Sequence, residues 1–192
     1  MNLLEKLSTE DYLRLEDETG MKHEYHDGWV VAMAGVTEEH DLIASAIRVY
    51  LRRCLRKKGC RIYSSDIRVF VPECNKFVYP DATIICGESQ RHTLPRGAYA
   101  LTNPVAIVEV LSEGTERYDV QEKPIQAGYN CYRTLPSFQE YVLVSSKEVK
   151  IETRKKNANG KWQIQNLRNP EQVIEFLGCR LSLKEIYEDV NL

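Results

Sequence analysis

The feature that most constrains this chain is a carboxylate inside an apolar strand. Residues 105–111 read VAIVEVL. Val105, Ala106, Ile107, Val108, Val110 and Leu111 predict a strand covered on both faces, with Glu109 among them. An isolated ionised carboxylate in such surroundings is costly to desolvate, so it must be paired, protonated or bound to a metal. The earlier run FVYPDATIIC, at 77–86, carries Asp81 in the same way, and Lys123 further along offers a cation.

Two carboxylates and a lysine converging at the ends of neighbouring strands suit a divalent metal and a phosphate. Mg²⁺ is typically held by one or two carboxylates, with waters and phosphate oxygens completing the shell. Asp81 and Glu109 are the expected ligands, with the backbone carbonyl of Val110 as a third oxygen. Mn²⁺ is the expected substitute ion. Lys123 would orient or deprotonate an attacking water, or stabilise transition-state charge. The structural alternative is a Glu–Lys or Asp–Arg pair that merely closes a strand end.

Composition narrows the class without deciding the function. The 192 residues suffice for one domain with a real core, and 43% hydrophobic with 28% charged residues is a globular balance. The net charge of −2 argues against a strong non-specific nucleic-acid binder. No apolar run approaches the ~20 residues that span a membrane, and MNLLEKLSTED lacks a secretory layout, so no membrane association and a cytoplasmic location are expected. Cysteines 54, 60, 74, 86, 131 and 179 form no CxxC pair. They suggest neither a zinc site nor a disulfide framework, and read as reduced packing residues.

Along the chain, Ser8 and Asp11 predict a capped helix over 9–18, and Asp27-Gly28 a hairpin. Thr37 opens an amphipathic helix closed at Gly59. Its basic end, Arg52, Arg53, Arg56, Lys57 and Lys58, reads as a solvated, dipole-favoured terminus. Residues 60–71 alternate as one strand, and 87–103 form a polar loop of functional length. Residues 115–133 look mainly helical. Two strands broken near Ser145-Ser146 follow, then a hairpin at Asn159-Gly160, the run VIEFLG, and a short helix at LSLKEIYEDV. The economical architecture is one α/β domain, 1–192, with a mixed sheet.

The ordered segments KHEYHDG, TEEHDLI, SSDIRV, YPDATII, LTNPVAIVEVLS and YDVQEK resemble the Uma-two family over about residues 8–145. This is a set of bacterial candidate restriction endonucleases of the PD-(D/E)xK nuclease fold. The resemblance implies a restriction-endonuclease-like core, a central mixed β-sheet flanked by helices, plus an N-terminal hairpin. It places the PD at Pro80-Asp81 and the acidic position at Glu109, and draws the lysine from Lys123 on the following helix. It also implies that Glu24, His40 and Asp66 line the site, although Asp66 could pair with an arginine and His40 could only cap its helix. Two departures stand out. Ser112-Glu113-Gly114-Thr115 replaces the family's SPST, and about five extra residues, with Pro124 and Gly128, separate Lys123 from Tyr132-Arg133.

The expected function is a Mg²⁺-dependent endonuclease acting on DNA, as a homodimer because nucleases of this fold commonly pair. The alternative is a nuclease-fold protein that no longer cuts and serves as a dimeric binding module. A metal-dependent hydrolase acting on something other than nucleic acid is a third reading. Nucleophilic Ser or Cys catalysis is not expected, since no GxSxG elbow is present.

Overall fold

The computed structural model describes residues 6–33, 35–111 and 124–192, with the backbone alone at 124–127. The first helix, α1 (Thr9–Thr19), starts where the Ser8 side chain accepts from the Asp11 amide, and ends at left-handed Gly20. Strands β1 (His23–His26) and β2 (Trp29–Ala32) form the expected hairpin. Its turn needs positive φ at both central positions, and Asp27 (49°) and Gly28 (99°) supply it. Helix α2 (Glu38–Leu55) follows its Thr37 cap and tightens into a 3₁₀ turn before Gly59.

The alternating stretch 60–71 is not one strand. It divides into β3 (Cys60–Tyr63) and β4 (Val69–Val71), which enter different sheets. The break is chemical: the Ser64 hydroxyl oxygen accepts from the Asp66 amide and the Ser64 carbonyl from the Ile67 amide, a local turn that competes with the ladder. Strands β5 (Lys76–Val78) and β6 (Ala82–Cys86) follow. The segment 87–103 is likewise ordered, as the hairpin β7 (Arg91–Thr93) and β8 (Tyr99–Leu101). Asn103 staples its base by accepting from the Gln90 amide and donating to the Glu88 carbonyl.

Next come β9 (Ala106–Leu111), α3 (Pro124–Tyr132), β10 (Glu140–Ser145), β11 (Ile151–Lys156) and β12 (Trp162–Leu167). The chain ends in the ribbon β13 (Val173–Phe176) and β14 (Cys179–Ser182), then α4 (Leu183–Ile186). This last helix starts at a capping box between Ser182 and Glu185 and ends at Ile186.

A mixed sheet of order β12-β11-β10-β9-β6-β3 lies at the centre, with β9 and β10 parallel and the other pairs antiparallel. One face, through Ala106, Val108 and Val110, packs against Ile43, Ile47 and Leu51 of α2 and against the C-terminal ribbon. The other, through Ile107, Tyr141 and Leu143, packs against α3 and against Val69, Val71 and Val78. Those valines belong to a second six-stranded sheet, β2-β1-β5-β4-β8-β7, so the N-terminal hairpin is the edge of a larger layer. Among the described residues no helix is long and apolar enough to cross a membrane.

The cysteines correct the sequence expectation. All six pair, as Cys54–Cys179, Cys60–Cys86 and Cys74–Cys131. Their separations of 125, 26 and 57 residues explain why spacing gave no warning. Strand register joins Cys60 to Cys86, and the packing of α2 on β14 joins Cys54 to Cys179.

Candidate functional site

The structure brings Asp81 and Glu109 together where β6 begins beside β9. Glu109 alternates to the same side as Ile107, facing α3, while its neighbours Val108 and Val110 point into the α2 core. Asp81 stands one residue before the first β6–β9 pair, Ala82 with Val108. Its amide donates to Glu109 Oε2 at 3.4 Å, and its Oδ2 accepts from the Val110 amide at 2.7 Å. Val110 therefore meets Asp81 through its N–H.

Helix α2 carries two further groups to Asp81. His40 lies in its first turn, where the Thr37 cap accepts from the His40 amide, and His40 Nε2 is 2.9 Å from Asp81 Oδ1. The ring is buried, and its Nδ1 has no hydrogen-bond partner among the described residues. Arg48, farther along the same face, donates to the Asp81 carbonyl at 3.2 Å. Glu24, on β1, accepts from the Tyr79 amide at 3.3 Å and pairs with His26 at 3.1 Å.

These placements make an electrostatic cluster. Burial pushes the half-buried Glu109 carboxyl well above its usual range, and the Asp81 and Glu24 carboxylates push it further. No lysine or arginine forms an ion pair with any of the three among the described residues, where Glu24 meets the His26 ring and Asp81 the His40 ring. Tyr132, at the end of α3, donates to Glu109 Oε1 at 3.4 Å, and burial beside that carboxylate raises its phenol in turn.

Among the described residues no group of three or more His, Cys, Asp or Glu is arranged to cage a metal. The donor set fits a hard ion that keeps water and phosphate oxygens in its shell, since Asp81 and Glu109 supply carboxylate oxygens and like charges that a cation would relieve. Lys123 lies outside the described residues; α3 begins at the next position. Asp66 is 74% exposed and bonds to Lys22 and Ser64, so among the described residues its contacts are not with the carboxylate pair.

The tyrosine before Pro80 has a second allegiance. Tyr79 donates to Glu16 of α1 at 2.9 Å, Arg68 pairs with Glu16 at 2.7 Å, and the His23 amide donates to it at 2.6 Å. Arg68 also bonds Tyr79. This neutralised network fixes one end of the Tyr79-Pro80-Asp81 segment. Sequence reasoning assigned no role to Tyr132, His26 or Arg48. Glu24 and His26 stand two apart in HEYH, a spacing that puts both on one side of a strand, whereas Arg48 and Tyr132 depend on long-range packing.

The model of the Uma2 (Uma-two) family, described as "Putative restriction endonuclease", matches residues 9–184. The uncharacterized protein slr1290 of Synechocystis sp. (strain ATCC 27184 / PCC 6803 / Kazusa) is 32% identical over 183 residues, 95% of this chain and 92% of its own. A second from that organism, sll1609, is 28% identical over 170 residues, 88% of this chain and 92% of its own. The fold is shared with a chain from Anabaena variabilis ATCC 29413 described as "a putative nuclease belonging to DUF820". That match has a TM-score of 0.71 and 15% identity, and covers 95% of this chain and 98% of that one. By the extent of the family match, this chain belongs to the Uma2 family.

Proposed function

We propose that the chain is a metal-dependent endonuclease of the PD-(D/E)xK type that hydrolyses phosphodiester bonds, with DNA as substrate. The observation that carries this reading is the meeting of Asp81 and Glu109 at the β6–β9 junction, the Asp81 amide 3.4 Å from the Glu109 carboxylate. Burial first, and then Asp81 and Glu24, push the Glu109 carboxyl up, with no lysine or arginine ion pair to it among the described residues. Asp81, Glu109 and the Val110 carbonyl would hold Mg²⁺ or Mn²⁺. When bound, the ion would polarise the scissile phosphate and lower the pKa of water.

The chain's own groups do the rest. The His40 contact and the Val110 amide hold the Asp81 carboxylate in one orientation. Tyr132 and the Asp81 amide do the same for Glu109. Lys123 orients the attacking water or takes its proton, and Glu24 adds negative potential that favours a cation. Cutting both strands calls for two such sites, hence a homodimer. A cytoplasmic location is part of the reading.

A dimeric binding module that no longer cuts is the second reading. It draws on the near-neutral net charge of −2 and on the departure of the sequence after Lys123, where Pro124, Gly128 and the added residues precede Tyr132-Arg133.

The test is cleavage of supercoiled and single-stranded DNA with Mg²⁺ or Mn²⁺, wild type beside Asp81→Ala, Glu109→Ala and Lys123→Ala. Activity lost in all three folded variants supports the nuclease. Activity that survives in them overturns the site. A wild type that binds DNA and metal without cutting favours the module.

A further inference from the structure

The three disulfides are not equivalent with respect to the site. Cys60–Cys86 joins the far ends of β3 and β6, the end of β6 opposite Asp81, and Cys54–Cys179 ties the last turn of α2 to β14. Cys74–Cys131 lies on the other face, in the layer between the two sheets. Cys74 closes the 3₁₀ turn 72–74 that connects β4 to β5, and Cys131 sits in the last turn of α3, with their Cα atoms 5.9 Å apart. The pair therefore bonds α3 covalently to the second sheet.

The residue after Cys131 is Tyr132, whose hydroxyl reaches Glu109. The bond therefore holds the end of α3 that carries Tyr132. Cys131 is buried and Cys74 is partly exposed, so Cys74 is the side from which a reductant would approach.

We propose that Cys74–Cys131 is a redox-sensitive clasp on the site, exchanging with a dithiol and setting how firmly Tyr132 holds Glu109. The proposal rests on the reading of Glu109 as a metal ligand. In the exchange, one thiolate of the dithiol attacks the Cys74 sulfur, the bond between the two cysteines breaks, and Cys131 leaves as a thiolate that takes up a proton. The second thiolate of the reductant then attacks the mixed disulfide and expels the Cys74 thiolate, which is protonated. Two electrons and two protons pass to the protein, and the dithiol becomes a disulfide. An oxidised dithiol reverses the reaction. In a cytoplasmic protein this is the expected behaviour, because disulfides in a reducing compartment are usually transient and redox-sensing.

Reduction does not remove the apolar packing of Tyr129 and Tyr132, so α3 loosens rather than leaves. The consequence at the site is a less fixed Glu109 carboxylate. Loss of a group that orients a metal ligand typically weakens metal affinity by about 10–100-fold.

Two readouts on the full chain test this. Backbone amide exchange over residues 128–134 should quicken when a dithiol reduces the protein, with alkylation confirming that Cys74 and Cys131 are free. The Mn²⁺ dissociation constant should rise about tenfold or more in the same step. Cys74→Ser with Cys131→Ser should exchange quickly in either medium and lose the redox response. Cys54→Ser with Cys179→Ser should keep it.

Unchanged exchange after verified reduction overturns the clasp. So does a redox response that persists in the Cys74/Cys131 variant, or faster exchange with unaltered Mn²⁺ affinity. Should the oxidised protein bind no Mn²⁺ at all, the metal reading of Glu109 falls, and the clasp's control of that ligand falls with it. The exchange data then show whether α3 responds on its own.

Discussion

Glu16 and Glu109 are both carboxylates withdrawn from water, and they meet opposite fates. Glu16, on α1, is surrounded by donors: the Arg68 guanidinium, the Tyr79 hydroxyl and the His23 amide. Glu109 is surrounded by Asp81 and Glu24, and its hydrogen bonds to the Asp81 amide and Tyr132 are both 3.4 Å long. One segment, Tyr79-Pro80-Asp81, serves both sites, Tyr79 closing the first and Asp81 building the second. A neutralised carboxylate is a structural part. A carboxylate crowded by like charges is, on the proposed function, the place where a divalent cation would bind.

The sharpest way to break this contrast is to remove each acid. Glu16→Ala leaves the Arg68 cation, 17% exposed, without its buried partner. Breaking such a pair typically costs about 3–5 kcal/mol, readable as a lower urea midpoint. A cost below ~1 kcal/mol, the value of an exposed pair, would show that water already screens Arg68. The cation partner should also matter: Arg68→Met beside Glu16→Met should recover part of the loss.

The second effect in size comes from the ion itself. A ligand that binds only the folded state at a hundred times its Kd adds about 2.7 kcal/mol. Mg²⁺ or Mn²⁺ should therefore raise the Tm of the wild type and leave Asp81→Asn and Glu109→Gln nearly unmoved. The Glu16 network, already neutral, predicts no metal effect of its own. An equal Tm rise in the two variants would place the ion elsewhere.

Acid supplies a third comparison. Burial and two neighbouring carboxylates raise the folded-state value of Glu109 above the usual range. The folded chain thus holds this proton at pH values where the unfolded chain has released it. The stability linked to the group is full below the unfolded value and is lost as pH rises through the raised folded one. Without metal, acidification from neutral toward the ordinary carboxylate range should stabilise wild type relative to Glu109→Gln. At neutral pH the glutamine variant should be the more stable, read as a higher Tm than wild type. A wild-type-minus-variant difference that is flat with pH would remove the basis for the cation argument.

The two acids that meet between β6 and β9 were legible in the sequence because they violate a strand pattern. Glu109 within VAIVEVL and Asp81 before ATIIC each break an apolar run, and the Asp81 backbone amide donates to the Glu109 carboxylate. Helix α2 and the hairpins at Asp27-Gly28 and Asn159-Gly160 were legible for the same local reason, capping and turn chemistry. What spacing does not encode is which side chains meet across the fold. Arg48 and Tyr132 reach the site from helices 33 and 23 residues away from their partners. The Cys54–Cys179 bond spans 125 residues. The even alternation of 60–71 concealed a change of sheet, because periodicity reports the faces of a strand and not its partner.

The smallest expected effect separates real members of the site from neighbours in sequence. Asp66 shares with Asp81 and Glu109 a place in the family resemblance, but its carboxylate is 74% exposed. Hydrogen bonds from Lys22 and Ser64 hold it below the usual carboxylate range. Exposed pairs of this kind are worth ~0.2–1 kcal/mol, and salt screens them. Asp66→Ala should therefore shift the urea midpoint only slightly, with the difference shrinking further in high salt. Its lowered value means that any contribution it makes is present above the unfolded carboxylate value and fades as pH falls through the folded one, opposite in sign to Glu109. Mn²⁺ affinity should be unchanged. A variant that weakens Mn²⁺ binding as strongly as Asp81→Asn would draw Asp66 into the metal site, and the Lys22 contact would then be a resting arrangement that the ion displaces.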